Sequence, residues 1–309
     1  MTTKQRLALT EIFAHLPFAI TGDPVEQRVR MEAALTAAPL PDDVTMTHST
    51  LGGVPVLTLD AGDVDSSTVL LHFHGGVYVQ GSARAGAGLA ASLGRQSGMR
   101  VVSVDYRLAP EDPYPAALDD AVAVYRAVLE QTPASHIAVS GESAGGGLAA
   151  ALMLRLRDAG LPLPSASVLL SPWVDLTLTG QSMTGKASVD PSVLTPEGLR
   201  IRVPDYLGGA DPATPFISPI FANLTGLPPM LIQAGSHEIL LDDAVRLAAT
   251  AAAHDVEVTL QVTPEVPHVF QAFAAILDEG KAALASAGTF LRTHVADADA
   301  DAHADADAA

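Results

Sequence analysis

Cysteine is missing from all 309 positions. Its absence excludes disulfides, thiol catalysis and cysteine-ligated metal, and it fits an interior location. Positive charge is scarce: 17 Lys and Arg stand against 35 Asp and Glu, a formal net charge of −18. Bulk electrostatics therefore oppose binding to nucleic acid or to an anionic membrane. Aromatic residues make up 5% of the chain and Trp173 is the single tryptophan, so an extended aromatic platform for sugars is not expected. No apolar run is long enough to span a bilayer. Nor is there a large amphipathic interfacial helix, which argues against long-chain lipase activity. The opening MTTKQRLALTEIFAHLPFAI, broken by Glu11, His15 and Pro17, lacks the apolar core and cleavage pattern of a signal peptide. A cytoplasmic protein without a membrane span is the expectation.

What the chain does have is apolar substance in a regular order. Hydrophobic residues reach 48% and charged residues 17%, the balance of a globular protein with a full core. Short apolar runs predict strands at Val44–Ser49, Val54–Leu59, Thr68–Phe73, Val101–Asp105, Ile137–Ser140, Ser167–Leu170, Met230–Ala234 and Val256–Val262. From residue 85 onward they alternate with helical patterns near 85–97, 115–130, 144–158, 242–254 and 280–293. That alternation predicts an α/β fold: a mostly parallel central sheet flanked by helices on both faces, with the early strands as an antiparallel edge.

Two stretches break the alternation. Residues 1–43 read as helices interrupted at Thr21-Gly22-Asp23-Pro24, and residues 175–223 are rich in Gly, Pro, Ser and Thr around one helix at Pro196–Val203. Insertions in α/β enzymes tend to sit over the ligand end of the sheet, so these two segments are expected to form a helical cap on a catalytic domain spanning 44–295. The last fourteen residues, 296–309, are an Ala/Asp run holding five aspartates and are expected to be disordered. His303 beside those aspartates is at most a weak metal ligand, and an inert solvated tail fits better.

The most informative stretch is Gly141-Glu142-Ser143-Ala144-Gly145. It lies between the strand ending at Ser140 and a helix running to Asp158, so it is a G-x-S-x-G at a strand-to-helix junction. There the glycines permit a sharp turn and lift the serine hydroxyl above the sheet. A serine hydroxyl needs a base within reach and donors for the oxyanion that forms as it attacks a carbonyl. His74-Gly75-Gly76-Val77-Tyr78 follows the strand at Thr68–Phe73 directly, so the N–H groups of Gly75, Gly76 and Ala144 are the expected oxyanion donors. His74 itself suits a structural tie better than a base.

Of ten histidines, His268 has the placement for a base, in a short loop after the last predicted strand. Loops at the carboxyl ends of strands face the ligand in open α/β sheets. His72 lies inside a strand, His254 ends a surface helix, and His237 suits a supporting or surface role. His15, His48, His136, His294 and His303 read as structural or solvated. The acid should follow the strand Met230–Ala234. Glu238 is nearest the strand end, with Asp242 as the alternative; Asp242 and Asp243 also suit the first turn of a helix for ordinary reasons. The order Ser143, Glu238, His268 is that of α/β-hydrolases.

With these residues in view, HGGVYVQGS, the run Asp105-Tyr106-Arg107-Leu108-Ala109-Pro110-Glu111, and GESAGGG together resemble the bacterial hormone-sensitive-lipase-like esterases, family IV of the lipolytic enzymes. The resemblance covers about residues 40–295. In that family an acid begins an acidic-x-Leu-x-Asp pattern, which Glu238-Ile-Leu240-Leu-Asp242 matches. Val77 stands where the family's HGGG has its third glycine, and the acid is Glu rather than the commoner Asp. The resemblance implies an α/β-hydrolase core with a helical cap, hydrolysis of short- to medium-chain acyl esters without cofactor or metal, and a homodimer formed through the last strand. An arylester or amide deacylase would use the same groups. A silent ligand-binding protein would bind tightly without an acyl-enzyme burst. Neither glycine-rich segment has the lysine or the context of a nucleotide-binding loop.

Overall fold

Among the described residues eight strands form one sheet in the computed structural model, which describes residues 1–306, with side chains through Val295. They are β1 (Val44–Leu51), β2 (Val54–Ala61), β3 (Asp65–Phe73), β4 (Met99–Val104), β5 (Ile137–Glu142), β6 (Ala166–Leu170), β7 (Met230–His237) and β8 (Val258–Pro267). Across the sheet the order is β1-β2-β4-β3-β5-β6-β7-β8. β2 pairs antiparallel with both β1 and β4, and every pairing from β4 to β8 is parallel. The antiparallel edge and the parallel body are thus both as predicted. Several strands outrun their apolar cores: β5 continues through Glu142 and β8 through Pro267. Strand length follows the backbone ladder, which polar residues extend as well as apolar ones.

The helices are α1 (Thr3–Ala14), α2 (Pro24–Leu35), α3 (Ala87–Ser97), α4 (Ala116–Leu129), α5 (Ala144–Asp158), α6 (Ser182–Gly185), α7 (Pro196–Leu207), α8 (Leu241–Ala253) and α9 (Asp278–Ala306). Side chains alternate across the strands. Leu71 and Phe73 of β3 and Val139 of β5 join the core that holds α4, α5 and α8, while Leu70 and Ala138 join the one that holds α3 and α9. Both faces of the sheet are therefore covered. Along α5 even Ala149, Ala150 and Ala151 are buried, and their small side chains let the helix lie close to β5. Its leucines at 148, 152, 154 and 156 are also buried, each stabilising the fold by about 2 kcal/mol.

The two segments outside the alternation meet in space. Arg202 of α7, itself buried, donates to the carbonyls of Ile20 at 2.7 Å and Gly22 at 2.6 Å. Each helix has its own start signal. Asp23 accepts from the Glu26 N–H at 2.9 Å with Pro24 at the first helical position, and Thr195 with Pro196 repeats the device on α7. From α2, Arg28 reaches the carbonyls of Val79 and Ala109 and makes a two-pronged ion pair with Glu111. α9 continues into the Ala/Asp run as far as Ala306. Residues 307–309 of that tail lie outside the described residues.

Candidate active site

β5, β6, β7 and β8 are parallel neighbours, so their carboxyl ends share one edge of the sheet. Ser143 follows β5, Ser171 follows β6, Glu238 follows β7 and His268 follows β8. Topology alone gathers residues separated by up to 125 positions in sequence.

Ser143 has φ 55 and ψ −122, a backbone conformation that side-chain-bearing residues rarely adopt. Its N–H donates to Leu170 O at 2.9 Å, and its carbonyl accepts from Trp173 N–H at 2.9 Å. These bonds to the end of β6 and the residues after it hold the strained turn between β5 and α5. A Cβ on Gly145 would come within 2.0 Å of Phe73 O, so only glycine lets the start of α5 press against the end of β3. Ser143 sits at the N-cap of that helix, where unpaired N–H groups and the dipole favour negative charge.

Glu238 is wholly buried. Its Oε2 accepts from Ser171 Oγ at 2.7 Å and lies 3.3 Å from His268 Nδ1. Burial pushes the carboxyl above the ordinary carboxylate value, the contacts with His268 and Ser171 pull it back, and Asp190 pushes it further up. Asp242, the alternative acid, is engaged elsewhere: its Oδ2 accepts from Ser182 N–H at 3.0 Å. The geometry thus pairs His268 with Glu238. His237 is half-buried at the end of β7.

The loop after β3 departs from expectation at one donor. Gly75 lies against Ser143, since a Cβ there would be 3.2 Å from Ser143 Cβ. Yet its N–H points inward and donates to Glu142 Oε1 at 2.8 Å. It is therefore not free to serve an oxyanion, which corrects the expectation for Gly75. The N–H groups of Gly76, Val77 and Ala144 make no hydrogen bond among the described residues. Val77 and Tyr78 both have positive φ, 51 and 63, a conformation a β-branched valine adopts only under constraint from its surroundings. His74 is the structural tie that was expected. Its Nδ1 meets Gly75 O at 2.7 Å, and its ring stacks on Tyr106 at 4.2 Å between centroids. Burial lowers its pKa below the usual histidine value.

Several supporting residues carry no signal in a pass along the chain. Glu142 lies inside the G-x-S-x-G, but its bond to Gly75 spans 67 residues. Tyr106 donates from its hydroxyl to His74 O at 2.7 Å, which gives the DYRLAPE run a role under the loop. Tyr206 of α7 stacks on Tyr78 at 3.8 Å, joining the 175–223 segment to the same loop. Among the described residues no group of three or more His, Asp and Glu is placed to hold a metal ion, and no helix is long and apolar enough to cross a membrane.

Known proteins resemble this chain over most of its length. Residues 70–272 match the model of the α/β-hydrolase fold family. An acetyl-hydrolase of Streptomyces hygroscopicus is 43% identical over 278 residues, covering 88% of this chain and 91% of that protein. An esterase of Acinetobacter venetianus is 40% identical, over 73% of this chain and 75% of that one. Among solved structures, an esterase of the bacterial hormone-sensitive lipase family superposes with a TM-score of 0.91 at 41% identity, covering 96% of this chain and 99% of that one. EstE5, soaked with p-nitrophenyl butyrate, does so with 0.90 at 38% identity, covering 96% and 100%. The chain is therefore an α/β-hydrolase, and within that fold it belongs to the bacterial hormone-sensitive-lipase family of esterases.

Proposed function

We propose that this esterase hydrolyses short- to medium-chain acyl esters through an acyl-enzyme on Ser143, with His268 as base and Glu238 as its orienting acid. The observation that carries the reading is the contact of Glu238 Oε2 with His268 Nδ1 at the strand edge that also bears the strained Ser143. With Nδ1 engaged by the acid, Nε2 is the nitrogen left to take the serine proton. Ser143 Oγ attacks the ester carbonyl carbon while its proton passes to His268. The carbonyl oxygen, now anionic, is held by the N–H groups of Gly76 and Ala144, helped by Val77 and by the positive end of α5. The ester C–O bond then breaks as His268 protonates the departing alcohol. Water, deprotonated by His268, attacks the acyl-serine and releases the acid and Ser143.

Gly75 has a different part in this reading: its N–H is tied to Glu142, which keeps the loop pressed against Ser143. Residues 1–43 and 175–223 form the cap that bounds the acyl chain, a reading supported by the Arg202 bonds and the Tyr206–Tyr78 stack. The likeness to a protein named an acetyl-hydrolase supports the short end of that range. A homodimer through β8 is consistent with its place at the sheet edge, where Leu260 and Val262 are exposed. The test is p-nitrophenyl butyrate hydrolysis by the chain beside Ser143→Ala. Turnover lost in the variant supports the reading; turnover retained by it, or absent from both, overturns it.

A further inference from the structure

β6 lies between the strand that ends at the proposed nucleophile and the strand that ends at the proposed acid, and its first following residue is Ser171. This serine is wholly buried and, like Ser143, has positive φ, 45. Its N–H donates to Gln233 O on β7 at 2.6 Å, which holds the turn in that shape. So turned, its hydroxyl meets two partners. It accepts from the Val269 N–H at 3.1 Å and donates to Glu238 Oε2 at 2.7 Å. A backbone N–H can only donate, so the hydroxyl proton has the carboxylate as its acceptor. Val269 directly follows His268, so a single hydroxyl grips both the acid and the backbone of the base.

We propose that Ser171 is a positioning residue of the reaction: it keeps Glu238 ionised and aimed at His268 while fixing the loop that carries His268. The inference rests on the serine-esterase reading above. Glu238 Oε1 has no hydrogen-bond partner among the described residues, so the buried carboxylate is satisfied through Oε2 alone, by Ser171 and His268. The titratable groups facing it are His268 beyond β8 and Asp190 from the segment before α7, whose Oδ2 accepts from the Ile239 N–H at 2.9 Å. Asp190 disfavours the charge, which leaves the serine as the neutral donor that supports it.

The test compares Ser171→Ala and Ser171→Gly in the full chain with wild type and Ser143→Ala, using p-nitrophenyl butyrate across pH. Glycine accepts positive φ without strain, so it removes the hydroxyl and spares the turn. Both Ser171 variants should lose about 10- to 100-fold in kcat, the scale set by one hydrogen bond to a buried charge, with KM within about threefold of wild type. The acid limb of kcat/KM should move to higher pH. Without Ser171 the buried Glu238 carboxyl protonates more readily, and a protonated Glu238 no longer supports His268. Ser171→Gly with wild-type kcat and an unmoved acid limb would overturn the role of Ser171 alone. A wild type without turnover, or a Ser143→Ala that keeps it, would overturn the serine-esterase reading itself.

Discussion

The molecule contains two sets of Ser, His and Glu whose serines lie three residues apart in sequence. In one, Ser143, His268 and Glu238 stand at the ends of β5, β8 and β7. In the other, His72 of β3 lies opposite Ser140 of β5 in the sheet register, with its Nδ1 2.8 Å from Ser140 Oγ and its Nε2 2.9 Å from Glu142 Oε2. The groups are the same, but their surroundings differ. Ser140 and His72 are wholly buried on regular strand, and the acid faces Nε2 rather than Nδ1. A serine so buried is closed to an acyl carbonyl. Ser143 instead sits on a strained turn at a helix N-terminus, beside the Gly75–Val77 loop. What distinguishes the proposed nucleophile is its backbone and its neighbours' unpaired donors, not its list of partner residues. The inner set has its own use, since Glu142 turns its second oxygen to the Gly75 N–H.

The comparison breaks most sharply at the serines. Ser143→Ala should lower kcat on p-nitrophenyl butyrate by about 10⁴-fold or more, whereas Ser140→Ala should stay within about threefold. Equal losses would make the two sets functionally alike. Next come the acids. Glu238→Gln removes the charge that stabilises protonated His268 and should cost about 10²- to 10⁴-fold in kcat. Glu142→Ala should cost about tenfold, by freeing the Gly75 loop. Urea unfolding should show it less stable by about 1–3 kcal/mol, from the buried N–H left unsatisfied.

The smallest effect on activity belongs to a third buried carboxylate. Asp243 accepts from the Val174 and Asp175 N–H groups, both at 2.8 Å, yet burial raises its pKa to about 8. Between its ordinary value and about 8 the unfolded chain sheds this proton while the folded chain keeps it. Stability therefore falls as pH rises through that window and levels off above it. Asp243→Asn keeps an acceptor oxygen for both N–H groups. Its melting temperature should gain on wild type from about pH 4 to about pH 8, with kcat nearly unchanged. A melting-temperature difference independent of pH would place Asp243 in its ionised form throughout.

Features that are local in sequence could be read without the structure. Ser143 announces itself by glycines, a preceding apolar strand and a following helix. The eight strands follow from apolar runs. His268 and Glu238 could be narrowed only by assuming that strand ends converge, and choosing Glu238 over Asp242 depends on where each carboxylate points. Gly75 was misjudged because its N–H partner, Glu142, is distant in sequence. Ser171 was invisible, since a serine after a strand is common and its meaning lies in reaching Glu238 and Val269 across two strand ends. Long-range hydrogen bonds are what a linear reading cannot supply.

Ser143, and not its buried counterpart, is proposed to form the covalent intermediate. Reacting the chain with diethyl p-nitrophenyl phosphate, then measuring residual esterase activity and mapping the labelled peptide by mass spectrometry, tests this. One diethylphosphoryl group per chain is expected, on Ser143, with activity lost in proportion to labelling. Activity that survives complete labelling of Ser143, or is lost while Ser143 stays unmodified, would contradict it.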